Sequence, residues 1–141
     1  MTRFAVDPFD LLLALLRDAL PDVNVRGSVP DEVPDLVPLV VIRRIGGSSP
    51  YPDHWDEPLI NVQCWAAADG ATDATRAASN LADQVRGVLW TAWRRQTVTP
   101  AGHISFIRES QAPQEIDDVD LPFLGRFAAT YELFLRNPRT A

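Results

Sequence analysis

The chain holds few side chains that commonly act as nucleophiles or general bases near neutral pH. They are one cysteine, Cys64, and two histidines, His54 and His103. Cys64 with His103 would supply a thiol nucleophile and its base. Cys64, however, stands on the uniformly apolar parity of a predicted strand over residues 59–66. We therefore expect a buried, unreactive thiol rather than a catalytic one.

A compact polar cluster in the segment 53–57 offers oxygen and imidazole ligands of the kind that metal ions use. Its members are Asp53, His54, Asp56 and Glu57. Their spacing matches no recognised ligand motif, and no GxSxG, HExxH or GxGxxG motif occurs in the chain. The GGSS run at 46–49 lacks the lysine and the following helix of a phosphate loop. We predict a protein with no metal, no cofactor and no catalytic residues, and thus not an enzyme.

A second acidic group, Asp117, Asp118 and Asp120, resembles part of a calcium loop. The glycine and the terminal glutamate of such a loop are missing. We predict a solvated acidic turn, which makes these residues candidates for an interface with another protein.

The composition is that of a globular domain: 141 residues, 46% hydrophobic and 23% charged. The longest apolar stretches, near residues 11–16 and 37–42, fall far short of the ~20 residues that cross a bilayer, so we predict no membrane contact.

The formal net charge of −6 argues against binding duplex DNA through a basic face. A single cysteine excludes an intrachain disulfide.

Hydrophobic periodicity and turn residues divide the chain into elements that would position these groups. The predicted helices cover 8–20 and 71–93. The predicted strands cover 23–26, 39–42, 59–66 and 103–110, with a last strand from 123 or 126 to 135. The predicted connections are a proline-rich arm over 28–38, a long loop over 46–58 and an acidic loop over 111–122. This order predicts one α+β domain over 1–141, with a mixed or antiparallel sheet of four to five strands packed against two main helices.

Apolar and aromatic residues inside the arm and the long loop are the main candidates for an interface. Tyr51 and Trp55, with His54 between them, lie among turn residues, and Val33 and Leu36 lie among prolines and acids. Such side chains either fold back onto the core or contact a partner. The sequence leaves both readings open, and it favours a binding or assembly module over an enzyme.

The order of several segments resembles the tail terminator proteins of long-tailed bacteriophages, also called tail completion or minor tail proteins. The segments are RRIGG at 43–47, LINVQCWA at 59–66, ASNLADQVR at 78–86, GHI at 102–104 and ATYEL at 129–133, and the similarity covers residues 8–136. The resemblance implies a homo-oligomer, a hexameric ring, that caps the tail tube, ends its growth and joins the head connector. The implied partners are the tail tube protein and the head-tail connector protein. The implied location is the tail or neck of the virion, after assembly in the host cytoplasm.

Two other readings remain open. The chain could be a head-tail connector or stopper protein, which is also a ring-forming adaptor, or a small bacterial enzyme or ligand-binding domain whose site is Cys64 or the His54 segment. If it is a neck ring, genomic DNA passes through its lumen, and we expect an acidic lumen wall because like charges repel. Asp117, Asp118 and Asp120 are candidates for that wall.

Overall fold

The first helix follows from its capping residues. The computed structural model describes residues 4–138, and helix α1 spans Pro8–Ala19. The Asp7 carboxylate accepts hydrogen bonds from the backbone N–H groups of Phe9, at 3.0 Å, and Asp10, at 3.2 Å. Pro8 occupies the first turn, where no intrahelical donor is needed. These features fix the start of α1 as the sequence predicts.

The remaining elements form a five-stranded sheet and two further helices. They are β1 Asn24–Arg26, α2 Val33–Leu36, β2 Leu39–Tyr51, β3 Trp55–Ala66, α3 Ala74–Arg94, β4 His103–Glu115 and β5 Gly125–Arg136. The sheet order is β1-β2-β3-β5-β4, with β1 parallel to β2 and every other pair antiparallel. The predicted α+β class, with a mixed sheet and two main helices, is confirmed.

One face of the sheet is covered by α1 and α3 and forms the main core. This core contains Val40 and Ile42 of β2, the β3 residues of the parity of Cys64, and the apolar parity of β5. Helix α3 contributes small residues, among them Ala78, Ala82 and Ala92, which let its backbone approach the sheet. The strand parity predicted for Cys64 is therefore the buried one.

A smaller core lies on the opposite face, at one end of the sheet. It consists of Val33, Leu39, Val41, Trp65 and Leu124, with Val37 and Leu121 packed against it. It joins the arm 28–38 to the β4–β5 connection and to the sheet. We call the surface formed by the arm and by the connection 116–124 the loop end.

The predicted long loop over 46–58 is wrong. Strand β2 continues to Tyr51 and β3 begins at Trp55, so the segment is a β-hairpin whose turn is only 52–54. Register shifts after Arg44 and after Ser48, and a positive φ of 98° at Gly47, let the strand continue through turn-forming residues. Strand β1 pairs only with residues 39–41, so Pro50 lies on a free edge that requires no N–H donor from it.

Two other boundaries differ from the prediction. Strand β4 continues to Glu115, which shortens the acidic loop to 116–124, and three register shifts interrupt its pairing with β5. In the arm, residues 33–36 form the short helix α2, with Pro34 in its first turn, where a proline is tolerated. Within residues 4–138, no helix is both long and apolar enough to cross a membrane.

Two glycines test how closely α3 packs. A Cβ at Gly125 would overlap the carbonyl oxygen of Ala74 in the first turn of α3, whereas a Cβ at Gly87, midway along α3, meets nothing within 4 Å. We expect Gly125→Ala to lower the free energy of unfolding by about 2 kcal/mol, because the helix must move away. Gly87→Ala should raise it by about 1 kcal/mol through helix propensity. Urea denaturation of both variants measures this, and equal effects would contradict the packing described.

Candidate interface surfaces

The tip of the β2–β3 hairpin presents an aromatic pair to solvent. The rings of Tyr51 and His54 stack with centroids 5.3 Å apart, and Tyr51 is 58% exposed. Asp53 Oδ1 lies 2.9 Å from His54 Nδ1. Asn137 donates from its backbone N–H to the His54 carbonyl, at 3.1 Å, and from Nδ2 to the Asp53 carbonyl, at 2.9 Å. The tip is therefore held against the end of β5 while Tyr51 remains accessible.

Trp55 differs from Tyr51 in its surroundings. It is half-buried, and the guanidinium of Arg136 lies 4.6 Å from the centroid of its indole ring. Trp55 and Arg136 are direct neighbours in the pairing of β3 with β5. A cation over an indole face is attracted by the ring quadrupole. Of the two aromatic side chains predicted here, Trp55 packs on the sheet and Tyr51 faces solvent.

An ion pair between an exposed arginine and a buried carboxylate braces the hairpin on the face of the sheet opposite Trp55. Arg44 Nη1 donates to Asp56 Oδ2 at 2.7 Å, and Asp56 is only 2% exposed. Arg44 Nε also donates to the Gly46 carbonyl at 3.1 Å, across the register shift in β2. Removing the Arg44 charge would leave the Asp56 carboxylate buried without its partner, which is strongly destabilising. The pair fixes the direction in which the hairpin leaves the sheet.

The four residues of the polar cluster at 53–57 do not form one common site. Asp56 pairs with Arg44, and His54 pairs with Asp53. Among residues 4–138, no group of three or more histidine, cysteine, aspartate or glutamate side chains is arranged to hold a metal ion.

Cys64 and His103 are also far apart. Cys64 pairs with Phe127 near the start of β5, and His103 pairs with Arg136 at its end, a separation of roughly 30 Å along the strand. Burial raises the pKa of the Cys64 thiol to about 12. Partial burial, with the nearby charge of Arg136, lowers the pKa of His103. The nucleophile and base of the enzyme reading do not meet in this fold.

At the loop end, the predicted interface residues of the arm face inward to different degrees. Val33 is buried in the smaller core, and Leu36 is half-buried. The backbone carbonyl of Leu36 accepts a hydrogen bond from Asn24 Nδ2 at 2.7 Å, which holds the arm against β1. The arm is thus held to the sheet by the apolar packing of Val33 and by the hydrogen bond between Leu36 and Asn24.

The three aspartates of the acidic loop separate into one structural residue and two exposed ones. Asp118 Oδ2 accepts from Trp65 Nε1 at 3.3 Å, and Asp118 Oδ1 accepts from the backbone N–H of Leu121 at 3.2 Å. Arg126 lies over the Trp65 ring at 4.9 Å and reaches Asp118 at 3.8 Å. Asp117 and Asp120 are exposed. Asp118 therefore closes the smaller core, and its two neighbours face solvent.

The most exposed apolar side chains of the loop end were not among the interface residues predicted from the sequence. Val119 is 89% exposed and Phe123 is 60% exposed, on either side of the segment that fills the smaller core. Val29 of the arm is exposed as well. The sequence does place an isolated valine and a phenylalanine among acids and a proline. Only the fold, however, shows which apolar residues of this segment point outward.

A comparison with protein families identifies a match over almost the whole chain. The family model described as phage tail termination protein matches residues 5–141. No curated protein is similar enough to this chain to match it.

The two aromatic residues of the hairpin should respond differently to truncation. We expect Trp55→Ser to lower the free energy of unfolding by about 2 kcal/mol, because it removes a half-buried indole and its contact with Arg136. Tyr51→Ser should change that free energy by less than about 0.5 kcal/mol, because the ring is largely exposed. Urea denaturation followed by circular dichroism gives both values. A large loss in Tyr51→Ser would assign that ring to the core.

Proposed function

The chain belongs to the phage tail termination protein family, whose members are structural components of bacteriophage tails, and we propose that it forms a ring that caps the tail tube. In this role it ends tube growth and provides the joint to the head connector, at the neck of the virion. The observation that carries the proposal is the extent of the match, which runs from residue 5 to residue 141. The whole fold, not an appended segment, is then the capping unit.

The distribution of exposed groups supports an assembly role. A ring subunit of this kind must contact its neighbours, the tube and the connector, and long connections on a rigid sheet are the usual carriers of binding. This chain presents exposed apolar side chains at both ends of its sheet, Tyr51 at one and Phe123 at the other. The buried thiol and the paired polar cluster support a role without catalysis.

The charge of the chain supports passage of DNA rather than its retention. Six copies, the number implied by the family resemblance, would carry a formal charge of −36 at −6 each. Binding of a duplex requires clustered cations that neutralise phosphates. A ring with this charge repels phosphates over the Debye length of about 8 Å at physiological ionic strength.

The capping role predicts a specific effect on tube assembly. We expect tail tubes grown from the tail tube protein of the same phage to stop lengthening when this chain is added, with a ring visible at one end by negative-stain electron microscopy. Heads should not be required, which separates a terminator from a connector. Tyr51→Ser should keep its fold and cap fewer tubes, because it removes an exposed aromatic of the candidate interface. Binding to purified head connectors without any effect on tubes would contradict the proposal.

Because the chain is acidic overall, we expect the purified protein to show no measurable affinity for duplex DNA at about 0.15 M salt. Fluorescence anisotropy with a labelled duplex, repeated at lower salt, tests this directly. Micromolar binding that weakens steeply with added salt would instead show a cationic nucleic-acid contact, for which the exposed Arg94 and Arg95 at the end of α3 are candidates.

A further inference from the structure

Charge is partitioned along the chain in blocks. No acidic residue occurs from 84 to 108, a stretch that contains four arginines, Arg86, Arg94, Arg95 and Arg108. No arginine occurs from 109 to 125, which contains five acidic residues, or from 27 to 42, which contains three. The two arginine-free blocks include the arm and the connection that form the loop end. The overall charge of −6 thus conceals one cationic segment.

The fold places these blocks at opposite ends of the molecule. Both α3 and β4 connect the two ends: Thr75 and Glu115 meet at the loop end, at 3.4 Å, and Gln96 meets the Ile104 carbonyl at the other, at 3.2 Å. Thirteen residues of β4 span about 40 Å and the 21 residues of α3 about 30 Å. We call the region of residues 93–106, where α3 ends and β4 begins, the α3–β4 corner.

The α3–β4 corner carries exposed apolar groups beside its free cations. Val98 is 67% exposed, and Phe106, which packs edge-to-face on Trp93 at 5.3 Å, is also exposed. Arg86 and Arg108 are neutralised by Glu109 and Glu132. Arg94 and Arg95 are exposed and have no ion pair within the part of the chain that the structure describes. The corner is an apolar patch with a cationic rim.

The loop end has the opposite character. Val119, Phe123 and Val29 form its exposed apolar groups, and Asp117 and Asp120 are exposed beside them. An apolar centre with a charged rim is the usual anatomy of a protein interface. Two loop ends facing each other would repel, as would two corners, whereas a loop end and a corner attract.

This pairing fits the rule for closed rings of identical subunits. A ring requires a heterologous contact, in which two different surfaces of each copy complement one another. We propose that the loop end of one copy docks on the α3–β4 corner of the next. The apolar side chains form the centre of this contact. Asp117 and Asp120 face Arg94 and Arg95, at the contact between copies and not on the lumen wall for which the sequence made them candidates. The proposal rests on the ring of the proposed function and names the surfaces that close it.

The dimensions agree with a ring that has an open centre. Six copies joined end to end, each spanning about 40 Å, place the subunit axes about 35 Å from the ring axis. A helix layer on a sheet is about 20 Å thick, which leaves a lumen roughly 50 Å across. A contact between opposite ends of the subunit therefore leaves room for a DNA duplex.

Charge reversal with mixing tests the contact. Asp117→Arg/Asp120→Arg reverses the loop end, and Arg94→Glu/Arg95→Glu reverses the corner; Asp118 is left intact because it closes the smaller core. We expect each variant alone to lose rings by about tenfold or more, measured by mass photometry in solution and by electron microscopy on tail tubes. An equimolar mixture should restore rings of alternating composition, because each reversed surface then meets its complement. The single chain with all four changes keeps the net charge at −6 and should also form rings.

The matched control is Asp10→Arg/Asp83→Arg, which makes the same charge change as the loop-end variant at two exposed positions outside both surfaces, one in the first turn of α1 and one midway along α3. It should assemble like the wild type. Circular dichroism confirms the fold of every variant. Rings that persist in both reversed variants, or a mixture that fails to recover, would overturn the contact, and normal tube capping in the same samples would leave the proposed function standing.

A cysteine cross-link detects the contact even when rings are scarce. Val119→Cys mixed with Val98→Cys should form a disulfide-linked dimer under mild oxidation, whereas either variant alone should not. Cys64 does not interfere because it is buried with a raised pKa. Asp83→Cys, at an exposed position midway along α3, in place of Val119→Cys is the background control. A yield no higher than that background would also overturn the proposal, and failure of the wild type to cap tubes in a parallel assay would instead refute the proposed function.

Discussion

The indole of Trp65 lies on the face of the sheet that α1 and α3 leave open, and it must be kept from water. Its burial requires cover from two distant parts of the chain, the arm that carries Val33 and the connection that carries Leu124. Its N–H donates to Asp118, and Arg126 lies over its ring. An indole buried beside Leu39 and Val41 on this face thus gathers two segments that have little regular structure of their own. The shape of the loop end depends on this one side chain.

The loop end and the main core are linked through Gly125. This residue begins β5 beside the connection that covers Trp65, and it also receives the first turn of α3 on its backbone. The position of α3 relative to the sheet is therefore coupled to the position of the acidic connection. Because α3 is a single rigid element of 21 residues, it also fixes where Arg94 and Arg95 lie. One close approach sets the separation between the two oppositely charged ends.

Patterns with a local physical cause were predictable from the sequence. The Asp7–Pro8 start of α1 and the apolar parity of Cys64 depend on neighbours along the chain, and the structure shows both. The hairpin was missed because Gly47 and Pro50 favour turns locally, whereas two register shifts and a free edge allow them within a strand. The placement of Val33 and Asp118 in the smaller core was also missed. Their partner Trp65 lies more than 30 residues away in sequence, where no periodicity reveals the contact.

The irregular edges of the sheet limit the ways in which copies of the protein can associate. Residues 42–51 of β2 have no neighbour on their outer side, but two register shifts and Pro50 interrupt the row of backbone donors and acceptors. Strand β4, at the other edge, has three such shifts and Pro113. Neither edge offers a continuous template for another strand. Association of copies by strand addition at the sheet edges is therefore disfavoured, which leaves contacts between side-chain surfaces as the route to assembly.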